Sequence, residues 1–301
     1  LLTISFSIEY AQGSVITEKS GTIHLSFKAY WGETMFKNQV VWITGASSGI
    51  GEALALQFAA EGSRLVLSAR REDELNRVRD LCTAKDLHPD QVLVIPLDVT
   101  DHDSMPAAVE KVKTAFGRID ILFNNAGISQ RSKCIDTDMA VYRTIMEVDV
   151  LGQIAMTKAV LPVMLEQGSG HLAITSSVAG KIGAPMRTGY CAAKHAMMGF
   201  FDALRAETAR DGLQVTTITP GYIKTNVSLN ALNGDGSEFG KVDNDIANGM
   251  DVNKCAKVIL DGLRKGKKEI PVGEGFEMKA LTLKRFFPNL VFKKVENLTP
   301  Q

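Results

Sequence analysis

From Gln39 onward the chain alternates short apolar runs with amphipathic stretches, and that alternation leaves few architectures open. Strands are predicted at Val40–Thr44, Arg64–Ala69, Gln91–Pro96, Ile119–Asn124, His171–Ser176, Gln214–Thr219 and Glu269–Val272. Helical periodicity fills Ile50–Glu61, Glu72–Lys85, Ser104–Phe116, Ala140–Leu165, Thr188–Arg210 and Val252–Lys265. Runs of Val, Ile and Leu without polar alternation are buried on both faces, which is the property of a parallel sheet. Right-handed crossovers then build a doubly wound, Rossmann-type α/β sheet of about seven strands with helices on both faces. No internal repeat or long low-complexity linker divides it, so residues 35–272 are expected to form one catalytic domain.

Bulk properties exclude several function classes. Lys plus Arg equals Asp plus Glu, 34 against 34, so no overall field draws nucleic acid or anionic lipid. Cys82, Cys134, Cys191 and Cys255 show no paired spacing, and the five histidines form no HExxH pattern. A reduced, cytoplasmic setting without a metal centre is the expectation. No apolar run reaches the ~18 residues of a membrane span.

The first 34 residues differ from the rest. No basic residue precedes their apolar start and Glu9 interrupts it, so they do not fit a secretory signal. Met35 is followed at once by the first strand, and residues 1–34 are therefore expected to be a non-native or disordered extension.

The segment "VVWITGASSGIGEAL" (40–54) spends Gly45, Gly49 and Gly51 within seven residues between a strand and a helix. A tight turn there, with close approach of strand and helix, presents the N–H groups at the helix start to a phosphate. Gly45, Arg70, Asp98, Asn124, Ser177 and Pro220 each follow or end a different predicted strand. They line the carboxyl edge of the sheet, where open α/β sheets bind ligands.

"TGASSGIG" is TGxxxGxG, and here the sequence resembles the short-chain dehydrogenase/reductase family from about Phe36 to Val272. "LDVTD" (97–101), "NNAG" (124–127), "TSSVAG" (175–180), "YCAAK" (190–194) and "PGYIKT" (220–225) follow in the family's order. The resemblance implies hydride transfer between a nicotinamide cofactor and a carbonyl or secondary alcohol. It implies that Tyr190 is the general acid/base, Ser177 the partner of the substrate oxygen, and Lys194 also a ligand of the nicotinamide ribose. Tyr190 and Lys194 stand four apart on one helix face, and a neighbouring ammonium favours a phenolate. Ser177, thirteen residues before Tyr190, is preferred to Ser176, and Cys191 is taken as a packed thiol. The resemblance also implies cofactor contacts from Gly45, Ser47, Ser48, Gly49, Ile50, Gly51, Asp98, Val99, Asn124, Ala126, Gly127, Pro220, Gly221, Ile223 and Thr225.

At the end of the second strand, "LSARRED" places Ala69 where NAD-type enzymes carry an acid, followed by Arg70 and Arg71. A guanidinium binds phosphate bidentately, so Arg70 points to NADP(H) rather than NAD. Residues 226–250 are expected to form a substrate lid, with Met186, Tyr222, Leu229 and Leu232 lining an apolar pocket for a hydrophobic substrate. Residues 273–301 form a basic and apolar tail that packs on the domain or a partner subunit, membrane contact being possible but not favoured. The family implies a homodimer or homotetramer, through the long helices on either side of the Ser177 strand. One departure stands out: Asp149 in "MEVDVLG" occupies the place of the family's usual Asn beside the catalytic lysine. The competing expectations are an NAD-preferring dehydrogenase and a catalytically weak NADP-binding regulatory or scaffold protein on the same fold.

Overall fold

The computed structural model describes residues 35–84 and 87–298; the expectation for residues 1–34 lies outside the described residues. Seven strands form one parallel sheet in the order β3-β2-β1-β4-β5-β6-β7. They are β1 (Val40–Thr44), β2 (Arg64–Ser68), β3 (Val92–Val94), β4 (Ile121–Asn124), β5 (Gly170–Thr175), β6 (Leu213–Pro220) and β7 (Glu269–Val272). The order reverses between β1 and β4, which opens a crevice at their carboxyl ends.

Helices α1 (Gly49–Ala60), α2 (Glu72–Thr83), α3 (Met105–Phe116), α4 (Met139–Met146), α5 (Gly152–Gln167), α6 (Thr188–Glu207), the short α7 (Asn244–Ala247) and α8 (Val252–Arg264) cover the sheet. The period of two along β1 feeds two cores. Val41 and Ile43 pack with Leu54, Phe58, Ile259 and Leu263 of α1 and α8. Val40 and Trp42 pack on the other face with Met156, Val160, Met197 and Phe201 of α5 and α6. Buried Trp42 also finds a partner for its indole N–H, which donates to Ser68 Oγ at 2.9 Å.

Two differences from the predicted elements have simple causes. β3 is an edge strand of three residues, because Pro89–Gln91 ahead of it forms a 3-10 turn. Pro271 is accommodated in β7 because that strand is the opposite edge, where a missing N–H costs no ladder bond. The predicted helix Ala140–Leu165 is α4 and α5 joined by a π turn at Glu147–Leu151. By length and composition Met139–Gln167 is apolar enough to cross a membrane. In the fold it is a core helix, with Ile145, Met156, Val160 and Met164 buried against the sheet.

After β7 the chain forms α9 (Phe276–Phe286) and α10 (Pro288–Glu296). Ala280 and Val291 of this pair join Val178 and Ile182, from the loop after β5, in a small separate core.

Candidate active site

The glycine turn is built by two close approaches. Gly45 has φ +65, and a Cβ there would lie 2.9 Å from Ala126 Cα. A Cβ on Gly51 would lie 2.2 Å from the Gly45 carbonyl oxygen. No other residue fits either position without displacing backbone. Thr44 locks the same junction: its hydroxyl donates to Phe123 O and accepts the N–H groups of Asn125 and Ala126, at 3.0–3.1 Å. Asn125 Nδ2 donates back to Thr44 O at 3.1 Å. Ser48, in extended conformation at the N-cap of α1, makes no side-chain cap bond. The first N–H groups of α1, at Gly49, Ile50 and Gly51, therefore face outward beside Ser47 and Ser48, a cradle suited to a pyrophosphate.

At the end of β2, Arg70 and Arg71 are exposed, and neither side chain has a hydrogen bond or ion pair among the described residues. Arg77 is engaged instead: it pairs with Glu52 and Glu74 at 2.8 Å and donates to Ser47 O. Asp98 is half-buried and accepts the Thr100 N–H and hydroxyl at 2.9 and 2.8 Å, while Val99 is buried beside it. Ala126 and Gly127 form the loop floor after β4. Pro220, Gly221, Ile223 and Thr225 run from the end of β6, and Thr225 comes within contact of the Gly49 position. Asn124 ends β4 at this edge, with its side chain turned inward. Its side chain is fully buried and donates to Thr157 Oγ1 of α5 at 2.8 Å.

The catalytic candidates meet between β5, α6 and the π turn. Ser177 follows β5, half-buried, with its Oγ accepting the Ala179 N–H at 3.1 Å and making a long contact to Pro220 O. Ser176 is buried and donates to the Lys194 carbonyl at 3.1 Å, so it fastens α6 to the strand. Cys191 is buried, its sulfur accepting the Ala184 N–H, and burial pushes its thiol pKa up. Tyr190 sits half-buried on the first turn of α6, and Lys194 Nζ lies 5.5 Å from its ring centroid. Lys194 also donates to Thr175 O at 3.3 Å.

The π turn sets Asp149, fully buried, with Oδ2 3.1 Å from Lys194 Nζ and Oδ1 accepting the Ile128 N–H at 2.7 Å. Burial pushes the Asp149 carboxyl above the usual range, against the pull of Lys194. Burial also penalises the Lys194 ammonium, but the Asp149 charge and hydrogen bond, with Tyr190, together outweigh it and the lysine is raised. Gly127 roofs the pair, its missing Cβ leaving 3.2 Å to both Asp149 Oδ1 and Lys194 Nζ.

Residues that sequence reasoning missed tie down the 226–250 segment. Asp243 Oδ2 accepts from Arg131 Nε at 2.8 Å and from Arg187 Nη2 at 2.9 Å. Arg131 and Asp243 are both buried, and their separation of 112 positions leaves no periodic signal. Burial, opposed by Asp243, holds the Arg131 guanidinium below its ordinary pKa. Gln130, also buried, accepts the Gly189 N–H at 2.7 Å and so caps the turn that carries Tyr190.

A cleft of about 460 Å³ opens among Arg131, Ser132, Lys133, Met186, Asn233 and Asp235. Its walls are mixed, not purely apolar: Met186 contributes, but Leu229 of the expected apolar lining is exposed.

Comparison with known proteins agrees with this geometry. The short chain dehydrogenase family pattern matches residues 39–234. The Drosophila melanogaster "Dehydrogenase/reductase SDR family protein 7-like" is 44% identical over 262 residues, covering 85% of this chain and 80% of that protein. Human "Dehydrogenase/reductase SDR family member 7" is 44% identical over 239 residues, covering 79% and 70% respectively. Among solved structures, an alcohol dehydrogenase from Thermococcus sibiricus complexed with 5-hydroxy-NADP superposes with a TM-score of 0.67 at 26% identity, covering 78% of this chain and 96% of that one. A Burkholderia phymatum short-chain dehydrogenase/reductase in complex with NAD gives a TM-score of 0.74, covering 88% and 97%; at 22% identity it speaks for the fold alone.

Proposed function

Because the chain belongs to the short-chain dehydrogenase family of oxidoreductases, we propose that it moves a hydride between NADP(H) and a carbonyl or secondary alcohol. The observation that carries the cofactor choice is Arg70, an exposed cation at the end of β2 with no ion pair among the described residues, with Ala69 where an acid would reject a phosphate. Arg77 is less suited to that role because two carboxylates already neutralise it. The cradle supports a dinucleotide: the Gly45 and Gly51 contacts leave backbone N–H groups in place of side chains. Gly45 to Gly51 would hold the pyrophosphate, Asp98 and Val99 the adenine side, and Lys194 with the Pro220–Thr225 segment the nicotinamide half.

When bound, the nicotinamide supplies or accepts the hydride. The chain's own residues handle the oxygen and its proton. Ser177 donates a hydrogen bond to the substrate oxygen, and Tyr190 gives or takes the proton there. Lys194 places its positive charge beside the tyrosine ring and favours the charge that Tyr190 carries between turnovers. Mixed walls around Met186 and Arg131 suit a substrate with an apolar body and a polar substituent better than a bare hydrocarbon ketone.

One observation favours the weaker reading, a nucleotide-binding protein with little turnover: Asp149 pairs with Lys194 and offsets its charge. Titration of NADPH and NADH into the protein, followed by a panel of ketones monitored at the NADPH absorbance band, separates the readings. Tighter NADPH and turnover of a ketone support the proposal. Equal affinities overturn the cofactor assignment, and tight NADPH without any turnover, with alcohols and NADP also tried, overturns the activity.

A further inference from the structure

The last two helices meet at a corner that nothing else among the described residues covers. α9 ends at Phe286, α10 begins at Pro288, and Phe286, Phe287 and Leu290 are 66%, 58% and 61% exposed. Single exposed apolar side chains are ordinary, but a contiguous group of large ones marks a binding surface. The corner is not the fraying end of a loose tail. Ala280 and Val291 anchor both helices on Val178 and Ile182, and Lys284 donates to the Lys181 carbonyl. An apolar cleft of about 280 Å³, between Ile182–Ala184 and the Phe292 and Val295 side of α10, adjoins it.

Charge distinguishes the occupant. From Phe276 to Leu298 there are five cations and two carboxylates, in a chain whose total charges balance. Lys279, Arg285 and Lys293 are exposed and have no ion pair among the described residues. A second copy seated on the corner across a two-fold axis would set this positive surface against itself. A bilayer with anionic headgroups offers acyl chains to the rings and negative charge to the lysines and arginine.

We infer that the α9–α10 corner docks the protein on an anionic membrane surface, with Phe286, Phe287 and Leu290 entering the acyl boundary and Lys279, Arg285 and Lys293 facing headgroups. This inference does not depend on the cofactor or the substrate. Cosedimentation of the full chain with vesicles of phosphatidylcholine, alone or mixed with phosphatidylserine, tests it. Binding is expected to the mixed vesicles, reduced by salt and weakened at least about tenfold by the triple change Phe286→Ser, Phe287→Ser, Leu290→Ser. A thermal melt checks that this variant folds, and Arg285→Glu with Lys293→Glu serves the same purpose without altering apolar contacts. Failure of the native chain to pellet, or equal pelleting of the native chain and both variants, overturns the inference. So does a native dimer that the triple change dissociates without any vesicle binding, since a second copy would then be the occupant.

Discussion

Asp149 Oδ2 lies 3.1 Å from Lys194 Nζ, and both side chains are buried. The lysine proposed as the positive neighbour of Tyr190 therefore carries its own counter-charge. Burial and pairing act together on this couple: the carboxyl and the ammonium are both shifted upward.

Asp149→Asn removes the charge that lifts Lys194, so burial pulls the lysine down from its raised value. At pH values where Lys194 keeps its proton, the ammonium is no longer offset and favours a negative charge on the base beside it. The rising limb of the alcohol-oxidation profile is expected to move to lower pH, because removing a nearby negative charge favours the ionised form of the base. The falling limb moves the same way as Lys194 loses its proton sooner. A pH–rate profile with cofactor saturating measures both, and superimposable profiles would show that Asp149 does not act on the relay.

Tyr190→Phe keeps the ring, its packing and the Lys194 contact, and removes only the oxygen that moves the proton. Turnover should fall about 10²–10⁴-fold while NADPH affinity stays close to that of the native chain. Steady-state kinetics with a parallel cofactor titration check this. Retention of more than about a tenth of the activity would assign the proton to another group.

How much of this was legible in the sequence follows from what each feature requires. β1 and β4 could be placed because strands buried on both faces need apolar runs, and β6 because its Val, Thr and Ile are β-branched strand formers. The Gly45–Gly51 turn was visible because close approach demands residues without a Cβ. The ends of β3 were not, since an edge strand buries too little to dictate its length. The side-chain directions of Asn124 and Asn125 were also hidden: the pair reads as one motif, yet Asn124 turns into α5 and Asn125 fastens the glycine loop. Nor does any periodicity announce the π turn, which keeps a helical pattern while carrying Asp149 into the site.

Arg70→Ala should weaken NADPH by about 1–3 kcal/mol, the worth of charge-assisted hydrogen bonds to a phosphate, and barely change NADH. The guanidinium has no partner among the described residues to lose, so the melting temperature of the cofactor-free protein should not move. Calorimetric titration of both cofactors gives the comparison. Parallel losses for NADPH and NADH would mean that Arg70 contacts a part common to the two.

Asp243 holds together three segments of the cleft: the loop after β4 through Arg131, the approach to α6 through Arg187, and its own segment, residues 226–250, the proposed lid. Asp243→Asn keeps the size and an acceptor oxygen but leaves two guanidinium groups near one another without a counter-charge. Breaking a buried pair in this way costs about 3–5 kcal/mol if the groups stay buried. The lid can avoid most of that cost by lifting away and letting water reach Arg131 and Arg187, because residues 226–250 carry few buried apolar anchors beyond Ala231, Ile246 and Met250. Local opening is therefore expected before global unfolding. Limited proteolysis should cut the variant within residues 226–250 faster than the native chain, with KM raised about tenfold or more and kcat changed less, since Tyr190 and Lys194 stand on α6 and not on the lid. A drop in melting temperature without faster cleavage in this segment would show that the triad supports the whole domain instead of the lid.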